Sequence, residues 1–199
     1  MTSVAVPPYG RTMLFIDGEN LVFRYQQMLE AGYIPSNSVV HEQDVFVWNP
    51  PGPFLARQHI ILRATYYTYA TGSDEYIYSV KDTLKQLTHP KEGRSLLPNT
   101  LYPMVFKKAR RDAKGKGVDI QMTVDILTHV YQDNLETVCL FSGDGDNKPV
   151  IETVVRNGKQ IYVAAFSSGL NPSLPHLADS FTLLDKFYFI RDPNGNSME

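Results

Sequence analysis

Cysteine is nearly absent from this chain: Cys139 stands alone among 199 residues. One thiol excludes an internal disulfide framework and a cysteine-rich zinc site, and it suits a reducing compartment. Cys139 lies in the apolar run "TVCLF", where it reads as a small core residue. Long hydrophobic runs are also missing. No stretch approaches the ~18–20 apolar residues of a membrane span. The opening "MTSVAVPPYGR" has prolines where a secretory leader needs an apolar segment. A soluble, cytoplasmic protein with no membrane partner is the expectation. A dominant charge is absent too, because 19 basic and 21 acidic residues leave a net charge of −2. That balance does not exclude nucleic acid, since one local basic patch is enough to bind it. The five histidines (His41, His59, His89, His129, His176) are scattered without metal-ligand spacing.

What is present is a core-forming composition, 43% hydrophobic and 12% aromatic, at a length that suits one domain. Residues 1–10 read as a flexible tail, 11–190 as a single domain and 191–199 as a second tail. "TMLFID" is short, continuous and apolar, as a strand buried on both faces should be. "ENLVFRYQQMLEAG" follows as a helix, with Leu21, Val22, Tyr25, Met28 and Leu29 at helical spacing and Gly32 as its stop. Residues 33–58 read as an insertion covering one edge, with a short strand in "DVFVWNPPGP". "HIILRATYYTY" is a second buried strand, and its tyrosines read as core. A helix opens at Ser73, an N-cap followed by Asp74 and Glu75. "TLYPMVFK" is a third strand, which Pro103 assigns to an edge or a bulge.

"KARRDAKGKG" is a basic loop, within 107–117. The next helix, "VDIQMTVDILTHVYQDN", carries Ile120, Val124, Leu127 and Tyr131 on one stripe. "ETVCLFS" and "KQIYVAAFS" are strands around the helix "KPVIETVVRNG", which has Pro149 in its first turn and Gly158 at its end. A short helix around "HLADS" and a last edge strand in "FTLLDKFYFIR" close the chain. Strands alternating with helices imply an α/β fold with a parallel sheet and right-handed crossovers. In such sheets ligands bind beyond the carboxyl ends of the strands.

Two strands end in acids. Asp17 closes the first, in "MLFIDGEN", and Asp144 and Asp146 follow the fourth, in "FSGDGDNKP". If these strands are neighbours, the three acids share a rim with Asp119 at the start of the third helix. Carboxylates gathered there raise one another's pKa, and a divalent cation removes that penalty. Mg²⁺ takes one or two carboxylates directly and keeps waters and phosphate oxygens for the rest. Each acid also has a simpler reading. Asp144 and Asp146 suit an Asx-turn, and Asp119 suits an N-cap. Asp125, six residues past Asp119, lies about 120° away around the helix, in a second shell or facing solvent. Lys107, Lys108, Arg110, Arg111, Lys114 and Lys116 lead straight into Asp119. Such a run neutralises phosphates, unless it is only a solvated loop.

Four motifs taken together ("FIDGENL", "KGKGVDIQMTVD", "FSGDGDNKPVI" and "NGKQIYVAAF…LADSF") resemble the NYN domain of the LabA-like group, within the PIN-like nuclease superfamily. The resemblance spans roughly residues 12–190. It implies a Rossmann-like three-layer α/β/α sandwich with a mainly parallel sheet of about five to six strands. It also implies a metal-dependent ribonuclease centre using Mg²⁺ or Mn²⁺. On this pattern Asp17, Asp119, Asp144 and Asp146 are the catalytic and metal-binding acids. Asn20, Ser142, Lys116, Arg110, Arg111 and Lys114 meet RNA, and Asp125 matches a further acid. Asp179 matches a recurrent aspartate with a structural role. Asn147 and Lys148 depart from the pattern, which usually has an aromatic or apolar residue after the last acid.

The rival expectation is a non-catalytic regulatory module that binds RNA, a nucleotide or a protein partner. In that reading the 33–58 insertion serves a protein partner or a homodimer. Phosphatase chemistry of the haloacid dehalogenase type needs a first-strand D-x-D, and the chain offers "DGEN".

Overall fold

Apolar periodicity organises the chain into alternating strands and helices, and the computed structural model describes them over residues 10–49, 60–89, 99–109 and 117–198. The first elements are β1 (Arg11–Asp17), α1 (Gly18–Glu30), β2 (Ile34–Pro35), β3 (Val40–Glu42), β4 (Phe46–Trp48) and β5 (Ile60–Ala70). There follow α2 (Asp74–Gln86), β6 (Leu101–Lys107), α3 (Gly117–Tyr131) and β7 (Thr137–Phe141). A 3₁₀ turn (Gly145–Asn147) leads into α4 (Lys148–Arg156), β8 (Gln160–Ala165) and α5 (Leu174–Leu177). The chain then runs through β9 (Ser180–Leu183), α6 (Asp185–Tyr188) and β10 (Phe189–Arg191). No helix among the described residues is long and apolar enough to cross a membrane.

Six strands form one sheet in the order β6-β5-β1-β7-β8-β9, and every neighbouring pair is parallel. The chain builds outwards from β1 through β5 to β6, then returns to the other side of β1 for β7, β8 and β9. The strand order therefore reverses between β1 and β7, and a crevice opens at their carboxyl ends. Register places Ile16 opposite Phe141, so Asp17 and Ser142 leave the sheet side by side. Pro103 sits in β6, an edge strand, where its missing N–H removes no ladder bond needed on both sides.

Both faces of the sheet are covered, which is why β1 and β7 are buried almost throughout. One face packs Leu21, Val22, Tyr25 and Met28 of α1 with Ile77, Val80 and Leu84 of α2. The other packs Val118, Met122, Ile126 and Val130 of α3 with Val150, Ile151 and Val154 of α4. The α2 N-terminus is capped by Ser73, whose hydroxyl accepts from the Tyr76 amide at 3.3 Å. Gly32 and Gly158 end α1 and α4 with φ of 95° and 71°, a backbone region that penalises a side chain.

Five expectations are corrected. The described part of the insertion lies over a sheet face, not an edge. Phe46, Val47 and Trp48 are buried, and the Tyr66 hydroxyl donates to the Val47 carbonyl at 3.0 Å. Trp48 also packs its ring near Phe141 of a central strand. The expected stripe of α3 faces outwards: Ile120, Val124 and Tyr131 are 62%, 50% and 64% exposed. Both sides of this helix are apolar, so periodicity alone could not choose between them. Residues two apart lie about 200° around the axis, and the sheet takes the Val118 side. The last strand breaks at Leu183, where α6 interrupts it, and Phe189–Arg191 pairs antiparallel with β2 instead. The helix expected around "HLADS" begins earlier, at Leu174. Finally, 192–198 is an ordered turn. Asp192 accepts from the amides of Asn194 and Asn196, and Met198 packs against the core.

Candidate active site

Asp17 ends β1 and begins α1 by capping it. Its Oδ1 accepts from the Asn20 amide at 3.0 Å, and its Oδ2 accepts from the Ser142 hydroxyl at 2.8 Å. Gly18 allows this abrupt strand-to-helix junction. A Cβ there would lie 2.2 Å from the Tyr66 ring and 2.7 Å from the Tyr67 carbonyl. Asp17 is 3% exposed. Burial pushes its carboxyl up to about 7, against the pull of the Asn20 and Ser142 hydrogen bonds and with help from the charges of Asp119 and Glu19.

Ser142 is the hub beneath the rim. It is fully buried, and besides donating to Asp17 it accepts from the Asp144 amide at 3.2 Å and from Asn147 Nδ2 at 3.1 Å. Its hydroxyl is therefore consumed in holding Asp17, which corrects its expected contact with substrate. Asn147 is likewise explained: where an apolar side chain was expected, a buried amide joins Ser142 to the Asp144 turn. Asp144 accepts the Asp146 amide at 3.0 Å, which is the Asx-turn, yet its carboxylate stays exposed at the crevice. Asn20 Oδ1 accepts from the Gly143 amide at 3.1 Å, and Asn20 lines the crevice cavity.

Asp119 arrives from the opposite layer. The amides of Gly117 and Val118 donate to the Tyr69 hydroxyl at 2.8 and 3.0 Å, which anchors the α3 N-terminus to β5. Asp119 is therefore not the N-cap. Its carboxyl is raised above the usual range by partial burial and by the charges of Glu19, Asp144 and Asp146, with Lys108 opposing. A cavity of about 290 Å³ is lined by Asp17, Glu19, Asn20, Phe23, Arg24, Asp119 and Asp144. Asp146 acts on Asp119 through its charge but does not line this cavity. Asp125 turns away, accepting from the Tyr67 hydroxyl and Gln121 Nε2, each at 2.8 Å. Asp179 binds the Ile161 amide at 2.8 Å, a structural role.

Of the basic run, Lys107 pairs with Asp74 at 2.6 Å, and Lys108 pairs with Glu19 while lying 4.1 Å from the Tyr69 ring centroid. Arg110, Arg111, Lys114 and Lys116 lie outside the described residues. The cation that does line the cavity is one the sequence reading missed, Arg24. Its Nη1 donates to Gln27 Oε1 at 3.0 Å, and its buried Nε has no partner among the described residues. The loop after β8 presses on it: a Cβ on Gly169 would lie 2.0 Å from the Arg24 guanidinium carbon. Arg24 stands four residues after Asn20, one turn along the same helix face, and that spacing was the available signal.

Among the described residues, no three His, Cys, Asp or Glu side chains are gathered at metal-ligand spacing. The donor set nevertheless fits a hydrated Mg²⁺ or Mn²⁺. The donors are carboxylate oxygens and an amide, and burial, with a smaller addition from neighbouring carboxylate charge, raises two of the carboxyls. Such ions take one or two carboxylates directly and reach the others through water.

A mainly parallel six-stranded sheet with helices on both faces is consistent with the three-layer sandwich of the PIN-like superfamily. The NYN domain family matches residues 11–185, and the chain belongs to that family. "Uncharacterized protein MJ0482" of Methanocaldococcus jannaschii is 31% identical over 62 residues, which are 31% of this chain and 26% of that relative. The chain thus matches about a quarter of that relative's length. A crystal structure of a protein of unknown function, VPA0982 from Vibrio parahaemolyticus, has the same fold. The TM-score is 0.57 at 19% identity, covering 91% of this chain and 96% of that one.

Proposed function

We propose that this protein is a metal-dependent ribonuclease that hydrolyses RNA phosphodiesters at the crevice between β1 and β7. The observation that carries the reading is the convergence of Asp17, Asp119 and Asp144, from three separate elements, on one cavity shared with Arg24. A divalent ion held there supplies Lewis acidity, polarising the phosphoryl group and making water a better nucleophile.

The chain's own residues do the rest. Asp17, held rigid by Asn20 and Ser142, presents a fixed carboxylate at the floor. Asp144 and Asp119 present theirs from opposite sides and orient the attacking water. Asn20 Nδ2 and the Arg24 guanidinium donate to the non-bridging oxygens, which places phosphorus in line between water and leaving oxygen. Lys116 and its neighbours position the strand through its phosphates, without reading sequence.

Cleavage of single-stranded and structured RNA in Mn²⁺, Mg²⁺ or EDTA tests this, comparing wild type with Asp17→Asn and Asp144→Asn. Metal-dependent cleavage lost in both variants is the expected result. Equal cleavage by all three proteins would overturn it. RNA binding without cleavage by any form would establish the regulatory module instead.

A further inference from the structure

A second cavity, also about 290 Å³, adjoins the acidic one, and Glu19 and Phe23 line both. Its volume stands near the ~300 Å³ lower end of small-ligand sites, room for one compact planar group rather than a long chain. Its far wall comes from the segment linking β3 and β4, including Gln43, and from Tyr69 and Tyr76.

This wall is built to be rigid. Gln26 Nε2 donates to Asp44 Oδ1 and Gln26 Oε1 accepts the Asp44 amide, each at 3.0 Å. Thr68 ties the same segment to β5 by donating to the Val45 carbonyl. Two groups on this frame are left without a structural task. Phe23 exposes 54% of its surface on the ridge, with the Arg24 guanidinium 5.2 Å from its ring centroid. Gln43 is exposed, and its amide makes no hydrogen bond among the described residues.

We infer that this second cavity receives one unstacked base of an RNA strand whose neighbouring phosphate lies in the acidic cavity. This rests on the ribonuclease reading for the placement of the phosphate. Phe23 stacks on the base, as aromatic side chains do in single-strand binding sites. Gln43 offers one donor and one acceptor to the base edge and so sets a preference among bases. Lys108, held over Tyr69 and paired with Glu19, faces the strand between base and phosphate. The shared ridge is what couples recognition to cleavage: a base on one side of Phe23 delivers its phosphate to the other.

The test is binding of short labelled single-stranded RNAs to the full-length Asp17→Asn protein, by fluorescence anisotropy. Phe23→Ala, Phe23→Tyr and Gln43→Ala are each added to it. An otherwise identical RNA set lacks one base at each position in turn. Phe23→Ala should weaken binding roughly tenfold, and Phe23→Tyr should restore it. At one position, loss of the base should weaken binding equally and abolish any further effect of Phe23→Ala. Gln43→Ala should flatten the preference among the four bases at that same position.

An unchanged affinity in Phe23→Ala would overturn the inference. So would additive losses at every abasic position, displacement of the RNA by free mononucleotides at equal affinity, or no RNA binding at all. Coupling between Phe23 and one base, in a protein whose wild type does not cleave, would support this pocket while overturning the ribonuclease reading.

Discussion

Replacing Asp17 by asparagine should make the metal-free protein more stable at neutral pH. An aspartic acid ionises near 3.8 in the unfolded chain, whereas folded Asp17 keeps its proton up to about 7. Between those values the folded chain binds one more proton than the unfolded chain, so stability falls as pH rises, and the loss is complete above about 7. At about 1.4 kcal/mol per pH unit the full loss is about 4 kcal/mol. Asparagine does not titrate, but it meets Ser142 poorly. The Ser142 oxygen already accepts from Asp144 and Asn147, and its proton loses the Asp17 carboxylate. One such lost hydrogen bond costs about 1 kcal/mol. The net gain is about 2–3 kcal/mol at pH 8, or roughly 5–10 °C in Tm for a chain of this size. Thermal unfolding at pH 4 and pH 8 in EDTA measures it. The variant should exceed wild type at pH 8 and match it near pH 4. Saturating Mn²⁺ should then raise the wild type by ~3 kcal/mol at a hundred times its Kd, and the variant far less. A variant less stable than wild type at pH 8, or a difference unchanged between the two pH values, would refute the reasoning.

The other predictions concern the frame around the crevice. On the metal-dependent mechanism proposed above, Asp119→Asn should lower single-turnover RNA cleavage by roughly 100-fold or more without changing the far-ultraviolet circular dichroism, because losing this carboxylate would remove several kcal/mol of transition-state stabilisation. Tyr69→Phe removes the acceptor of the Gly117 and Val118 amides and should cost about 1–3 kcal/mol in urea unfolding, loosening the helix start that carries Asp119. Gly169→Ala meets both a φ of 63° and the Arg24 guanidinium. It should cost about 1–3 kcal/mol and weaken RNA binding in the anisotropy assay, with Arg24→Ala weakening binding at little cost in stability. Trp48→Ala should cost about 3–5 kcal/mol in the same unfolding assay, since Trp48 is buried and its Nε1 donates to the Thr88 carbonyl at 2.8 Å.

Much of the architecture was legible because its signals are local. Strands buried on both faces read as continuous apolar runs, as in "MLFI" and "TVCLF", and their ends are marked by Asp17 and Ser142. Ser73, Gly32 and Gly158 punctuate helices by hydrogen bonding and φ alone. The pairing of Asp17 with the "GDGD" turn followed once β1 and β7 were taken as neighbours. Where two faces of one element are equally apolar, as in α3, periodicity has two solutions, and the sheet chooses between them. The 33–58 insertion misled for a related reason. Trp48 and Phe46 sit in a proline-rich stretch of short strands, and burial of such residues depends on which surface lies beneath them.

The sequence by itself determined the alternation of elements and marked Asp17, Asp119, Asp144 and Asp146 as candidates, since strand ends and helix starts depend on neighbours within a turn or two. Only the tertiary structure decided which of these acids line one cavity. It turned Asp125 towards Tyr67, consumed Ser142 beneath Asp17 and brought Arg24 against Gly169. Those outcomes join residues up to 145 positions apart, here Arg24 and Gly169. Their proximity comes from sheet order and layer packing, which no local spacing encodes.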